Sequence, residues 1–315
     1  MQFATEGDQD SVPDRVRAAC AWVAERARSV RVEEAAIVAY AARLSAPDEF
    51  SLLDPATNLL EGTRERRIAF VVCLNAINFG SGWWPTIRKR PGHSGYTTIA
   101  AALTERFRAA GAWSATELTG LRPADLADAL GQDPEHPLMA EYATSLGDVG
   151  ERVLADHGGS FEAVVEAAEG SAVDLAGLLA GWAAFADAST YGGRDVPFYK
   201  RAQIAAADLN RAGLAELGDE DRLTAFADNL VPHVLRVDGV LSLDPALQGA
   251  IEAGALLAHG SAEEVELRAC AVHAVELLAA AAELAPAEVD AVLWNRGRAE
   301  RYKSIPRPRS RNTAY

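Results

Sequence analysis

The chain has 315 residues, 49% of them hydrophobic and 24% charged, the make-up of a globular protein able to bury a core without disulfide or metal staples. Its 45 acidic and 30 basic residues leave a net charge of −15 at pH 7. DNA, long RNA and anionic membranes demand a basic face, so the charge excludes them as main partners while leaving room for a small anion in a local pocket.

The first ten residues carry three acids, no Lys or Arg and no apolar run, unlike a signal or transit peptide. The longest uncharged apolar stretch, 175–186, is too short to span a bilayer. Cys20, Cys73 and Cys270 are odd in number and far apart, which argues against a disulfide framework and for a reducing cytoplasm. The six histidines lack ligand spacing, so no metal and no other cofactor is expected.

Alanine fills 64 positions, and helical periodicity runs from end to end. Val16, Cys20, Val23 and Ala27 predict a first helix; Val32, Ala36, Ala39 and Leu44 predict a second. Further helices are expected over 64–78, over 96–110 through Ile99, Leu103 and Phe107, from Pro123 to Leu130, and over 138–156. A helix entered near Phe198 leads to a Gly-bounded connection at 211–218. Asp219 then caps a helix whose apolar face is Leu223, Phe226, Ala227, Leu230 and Val234. Pro232 has no N–H to give the carbonyl of Asp228, so this helix should end or kink there and leave Asp228 at the edge of a cleft. Ser261 and Glu264 form a capping box before a helix to about Glu283, and Pro286 starts a last helix to about Arg298. Strand signals are scarce, and no Asn-Gly turn joins two alternating runs. The expected fold is mainly α: one compact helical domain over 1–315, two lobes around a cleft, and a helix-hairpin-helix unit at about 198–234.

Three clusters carry groups suited to chemistry. Phe198, Tyr199, Lys200 and Arg201 stand where a loop enters a helix; aromatic faces stack on planar bases, and a helix start with a cation holds phosphate. Asn78 offers a paired donor and acceptor, Phe79 a stacking face, and Gly80-Ser81-Gly82 a close backbone approach. Trp294 adds an aromatic with polar neighbours, and His233 has no visible partner in the sequence. Each has a structural alternative in core packing or a solvated surface, and spacing alone favours a surface charge for Asp228. Residues 296–315 hold seven basic residues and one acid, leaving −21 on the remainder. Composition favours a solvated basic tail or one pairing with the acidic body; the other reading is an extended segment folded over a site, neutralising phosphate.

Together the stretches LNAINFGSGWWP, FADASTYGG, PFYKRAQIAAADL, FADNLVPHVLR, EVELRAC and LWNRGR, spread over 74–298, resemble the queuosine salvage proteins, the queuosine 5′-phosphate N-glycosylase/hydrolases. The resemblance implies a helical fold with a core related to the helix-hairpin-helix DNA glycosylases. It also implies N-glycosidic hydrolysis of queuosine 5′-monophosphate with release of the 7-deazaguanine base queuine. Asp228 then matches the family's essential aspartate, which would stabilise oxocarbenium character at C1′, activate water or bond to C1′. Phe79, Phe198, Tyr199 and Trp294 would line the base or sugar pocket, with His233 also at the site. Asn78 and Asp187 would bond the polar edges, and Lys200 the 5′-phosphate or, as a Schiff base, the sugar. The tail departs from the family's PRHRTR pattern, reading PRPRSRNTAY, so no role is carried over to it. Two readings stand beside this one: a helix-hairpin-helix glycosylase acting on DNA, which the acidic charge opposes, and a non-catalytic nucleotide-binding helical module. The partner expected is one nucleotide, without nucleic acid polymer or membrane; the sequence leaves the oligomeric state open.

Overall fold

The computed structural model describes residues 11–45 and 53–315, organised as fifteen α-helices, two two-stranded ribbons and two short 3-10 turns. The acidic N-terminal decapeptide read above lies outside the described residues.

Helix starts follow local chemistry. Ser11 caps α1 (Val12–Ala24), and β1 (Val30–Val32) and α2 (Glu34–Ala41) follow. Thr63 caps α3 (Arg64–Ala76), while Ser94 and Ser114 build reciprocal capping boxes for α4 (Gly95–Ala110) and α5 (Ala115–Thr119). Prolines open α6 (Pro123–Leu130) and α7 (Pro137–His157), and serines cap α8 (Phe161–Glu166) and α9 (Ala172–Ala180). The ribbon of β2 (Ala188–Tyr191) and β3 (Arg194–Pro197) then delivers the chain to α10 (Lys200–Arg211). After it come α11 (Val231–Val237), β4 (Leu241–Leu243), α12 (Pro245–Glu252), α13 (Ala262–Ala282), α14 (Pro286–Arg296) and α15 (Glu300–Lys303). Among the described residues no single helix is long and apolar enough to cross a membrane.

Four expectations are corrected. Val32 lies in β1, which pairs antiparallel with β4, and Ala27 falls beyond the end of α1. The β2–β3 ribbon was not expected; its two-residue loop is Gly192-Gly193, both at positive φ (56° and 79°), the geometry that matches the twist of a hairpin. At α13 only half of the expected capping box forms: Ser261 accepts from the Glu264 N–H, but Glu264 accepts from the N–H of Gly260.

The fourth correction is the most consequential. The helix expected after Asp219 is a single 3-10 turn, Glu220–Arg222, followed by an irregular stretch at 223–230; α11 begins at Val231, with Pro232 in its first turn rather than at its end. Side chains from other elements take up the backbone groups that a helical ladder would have used. Gln203 Oε1 accepts from the Thr224 N–H (2.9 Å), Asp290 Oδ1 from the Phe226 N–H (3.0 Å), and Arg268 Nε donates to the Ala227 carbonyl (3.0 Å). With its buried backbone satisfied in this way, the stretch has no need of helix.

The apolar core gathers in two clusters. One is built on α3, α4, α7, α9 and α10, with Phe70, Phe107, Leu146 and Ala205 inside it. The other centres on α13, packed by α1, α11 and α14, with Cys20, Val234, Val272 and Leu293. Two of the places where the chain crosses between them matter for the site: Phe198 belongs to the second cluster and Ala202 to the first, and Phe226 belongs to the first and Ala227 to the second. Lys200 and Asp228 stand at those crossings.

Candidate active site

The Asp187 carboxylate organises one side of the junction. Its carbonyl accepts from the N–H groups of Phe198 (2.9 Å) and Tyr199 (3.1 Å), and its Oδ2 accepts from the Lys200 N–H (3.0 Å). This caps α10 although Tyr199, at the N-cap position, offers no side-chain bond and adopts a left-handed conformation (φ 47°, ψ 40°). The same carboxylate forms a bidentate pair with Arg268 of α13 at 2.9 and 2.7 Å, both side chains sealed from solvent. The Arg268 guanidinium lies between the rings of Phe198 (3.9 Å) and Tyr315 (4.6 Å). Burial alone would lower its pKa, but Asp187 and Glu264 hold it above the usual arginine value, so it stays charged.

Because Arg268 also holds the Ala227 carbonyl, one ion pair fixes the backbone on both sides of the junction. Lys200 is buried, and its Nζ donates to the Asn78 carbonyl at 3.0 Å. Burial pushes its pKa down to about 8, and the attraction of Asp228 opposes that fall. Asp228 accepts from the N–H groups of Leu230 (2.7 Å) and Val231 (2.9 Å) through Oδ1 alone. Its Oδ2 has no hydrogen-bond partner among the described residues, and the residue keeps partial exposure. Burial raises its pKa above the ordinary carboxylate value, countered first by Lys200 and, among weaker influences, by Arg307. The result is a carboxylate with one oxygen pinned and one free, beside a buried ammonium.

The remaining expected site residues divide. Phe79 is fully buried, edge-on to Tyr142 (5.0 Å) and beneath Arg201 (5.0 Å), so its face is already occupied; Phe198 is likewise covered by Arg268. Tyr199 and Trp294 keep partly exposed rings, although Arg15 lies over Tyr199 (5.8 Å) and Arg298 over Trp294 (5.4 Å), and Trp294 stands edge-on to Tyr96 at 6.2 Å. Asn78 donates through Nδ2 to Asn75 (3.3 Å), leaving its Oδ1 without a partner among the described residues. His233 uses both ring nitrogens: Nε2 faces the Tyr302 carbonyl (2.9 Å), which only accepts, so Nδ1 accepts from Arg236 (3.2 Å). Burial lowers its pKa to about 4, leaving a neutral tether rather than a proton shuttle at pH 7.

The basic tail is packed, not solvated. Arg236 and Asn229 donate to the carbonyls of Pro306 (2.7 Å) and Pro308 (2.8 Å), and the Leu257 N–H donates to that of Arg309 (2.8 Å). Arg201 Nε donates to the Ala314 carbonyl (3.3 Å), and the Gly80 N–H to that of Tyr315 (3.1 Å). Tyr315 is buried against Arg268. Gly82 permits this approach, since a Cβ there would lie 2.5 Å from the Ser310 carbonyl oxygen.

Sequence reasoning missed two residues. Arg268 was inside a quoted motif, but nothing in EVELRAC marks it as a buried partner of Asp187. Asp290, buried with its Oδ1 on the Phe226 N–H, has its pKa raised well above the ordinary value by burial and then by Asp228. Its position four residues before Trp294, on one face of α14, was the available signal.

Residues 59–315 match the family model described as queuosine salvage protein. A protein of Sphaerobacter thermophilus named queuosine 5′-phosphate N-glycosylase/hydrolase is 32% identical over 311 residues, 93% of this chain and 95% of its own. Proteins of that name from Dictyostelium discoideum (33% identical; 57% of this chain, 59% of the relative) and Mus musculus (32%; 57% and 59%) are similar over shorter spans. With the family model covering most of its length, this chain belongs to the queuosine salvage protein family.

Proposed function

We propose that this chain hydrolyses the N-glycosidic bond of queuosine 5′-monophosphate, releasing queuine and leaving ribose 5-phosphate. The observation that carries the reading is the Asp228 carboxylate at the junction of the two cores, one oxygen held by backbone and the other free, within the electrostatic reach of buried Lys200. As the C1′–N bond lengthens, positive charge grows on the ribose, and a fixed, partly desolvated carboxylate stabilises it. The free Oδ2 also orients water for attack at C1′; water's hydroxyl goes to carbon and the released base gains a proton. Lys200 opposes the rise that burial imposes on the Asp228 pKa and so favours its ionised form.

Tyr199 and Trp294 flank the base with their exposed rings, and the free Oδ1 of Asn78 accepts from its polar edge. Phe79, Phe198 and Asp187 support the site from beneath, and His233 holds α15, the short helix that leads into the last residues. The acidic body supports a single nucleotide, not a polymer, as substrate. The odd, widely spaced cysteines support a reducing, cytoplasmic setting.

The test offers purified protein queuosine 5′-monophosphate, the nucleoside, guanosine monophosphate and modified tRNA, with mass spectrometry for the free base. Queuine appears from the monophosphate, and Asp228→Asn lowers its release by at least about 100-fold. Release at the wild-type rate by the Asn variant, or no queuine from any substrate, overturns the proposal.

A further inference from the structure

We propose that Asn75 is a positioning residue: pinned by acceptors on α3 and α10, it turns the Asn78 amide so that only its oxygen faces the substrate, and the site thereby selects a base whose polar edge donates N–H. This deepens the function proposed above, on which it rests, by naming the residue that stands behind the base contact.

The direction of the two amides follows from what their partners can do. Asn75 is buried near the end of α3, and its Nδ2 donates to the Val71 carbonyl (3.2 Å) and to Asp208 Oδ2 on α10 (3.0 Å). A backbone carbonyl only accepts, and so does a carboxylate, so the end of the Asn75 side chain that meets them is its NH2 group. Arg211 pairs with the other Asp208 oxygen at 2.9 Å and opposes the rise in pKa that burial imposes there. The Val71 carbonyl makes the same demand whatever the protonation state of Asp208. Asn75 Oδ1 is left to point at Asn78, whose Nδ2 donates to it at 3.3 Å. An amide oxygen also only accepts, so turning the Asn78 amide over would set two buried oxygens face to face without a proton between them.

Nor can Asn78 escape by moving its backbone. Its N–H donates to the Asn75 carbonyl (3.2 Å), and its own carbonyl accepts from Lys200 Nζ (3.0 Å). On either side, two hydroxyls of α7 fasten the turn: Ser145 Oγ donates to the Ala76 carbonyl (2.7 Å) and Tyr142 Oη to that of Phe79 (3.0 Å). The residue is only 7% exposed, and its Oδ1 is the polar group left without a partner among the described residues. A 7-deazaguanine base carries N–H donors at ring position 1 and at its 2-amino group, whereas 7-deazaadenine has an acceptor nitrogen at position 1 and no 2-amino group. A fixed oxygen accepts from the first edge and repels the second. Because the amide is ordered beforehand, little entropy is lost when the base binds.

The experiment titrates the full-length protein with 7-deazaguanine and with 7-deazaadenine by calorimetry, and measures kcat and KM for queuosine 5′-monophosphate. It compares the wild type with Asn75→Leu, Asn78→Ala and the double variant; should Asn75→Leu fail to fold, the simple truncation Asn75→Ala takes its place with the same expectations. The wild type binds 7-deazaguanine at least about tenfold more tightly than 7-deazaadenine, and each single variant lowers that ratio about tenfold, the scale of one hydrogen bond. Asn75→Leu also lowers kcat/KM by a similar factor, through KM more than kcat. Since Asn75 acts through Asn78, the double variant has the same binding ratio as Asn78→Ala alone. A residue that merely supports the fold would weaken both bases alike and add its loss to that of Asn78→Ala. An Asn75 variant that keeps the wild-type ratio, an additive double variant, or a wild type that binds both bases alike or neither, overturns the proposal. A wild type that releases no base from the nucleotide overturns the function instead, and the binding ratios still decide the role of Asn75.

Discussion

Replacing Asp187 with Asn tests whether the buried ion pair is the strut that spaces Lys200 from Asp228. The substitution keeps the shape but removes the charge facing Arg268, whose bidentate contacts at 2.9 and 2.7 Å lie out of reach of solvent. Arg268 cannot escape by losing its proton, because its pKa lies above the usual arginine value. Among the described residues the other carboxylate within ion-pair distance is that of Glu264, at 3.9 Å. Stripping one partner from a buried pair costs about 3–5 kcal/mol. The faces of Phe198 and Tyr315 still receive the guanidinium, and Asn retains one acceptor for it, so the expected loss is about 3 kcal/mol, at the lower end. Against a total stability of about 5–15 kcal/mol that is a large fraction, readable as a lowered urea midpoint at unchanged slope. Under conditions where the variant remains folded, kcat should fall far more than KM rises, since loosening both crossings misplaces Asp228 relative to C1′. A midpoint shift worth less than about 0.5 kcal/mol, the size of an ordinary surface substitution, together with wild-type kcat, refutes the reasoning.

Two further outcomes follow. Gly82→Ala pushes a methyl against the Ser310 backbone, so the C-terminal segment must lift; trypsin then cuts after Arg309 or Arg311 at least about tenfold faster than in the wild type, and equal resistance counts against the packing. With the nucleoside as substrate, to keep phosphate titration out of the profile, kcat/KM rises as Asp228 loses its proton at a pKa above the ordinary carboxylate value. It falls again as the pH passes about 8, where Lys200 loses its proton; a plateau continuing to pH 10 would remove charged Lys200 from the mechanism.

Periodicity and helix-opening residues located many of the helices because those signals are local: Pro123, Ser261 and Pro286 each stand within the turn they start or just before it. The stretch 223–230 was misread for the opposite reason. Leu223, Phe226, Ala227 and Leu230 have helical spacing, but the partners of its backbone come from Gln203, Asp290 and Arg268, up to 64 positions away. Pro232 illustrates the same ambiguity, since proline both stops a helix and opens one, and only the neighbours decide. Gly192-Gly193 was legible as a two-residue hairpin turn and was passed over because the flanking strands are short and mostly polar. Within the site, Asp228 and Lys200 stood out through motif and residue type. Arg268 did not, because a buried arginine in a helix looks like any other arginine until its carboxylate is found.

The placement of cations around Asp228 meets a difficulty that any nucleotide monophosphate brings to an acid-based glycosidase. The approaching phosphate is a dianion near neutral pH, and on electrostatic grounds it should raise the pKa of a neighbouring carboxylate and so disarm it. Asp228 is already pushed upward by burial, which leaves little margin. Lys200 attracts it from the α10 side and, more weakly, Arg307 from the C-terminal segment, and both oppose that rise. Removing the Arg307 charge would therefore let the substrate's own charge move the acid limb of the pH profile upward. A nucleoside brings no such charge, so the position of that limb with the two substrates separates a phosphate that is merely held from one whose field is neutralised.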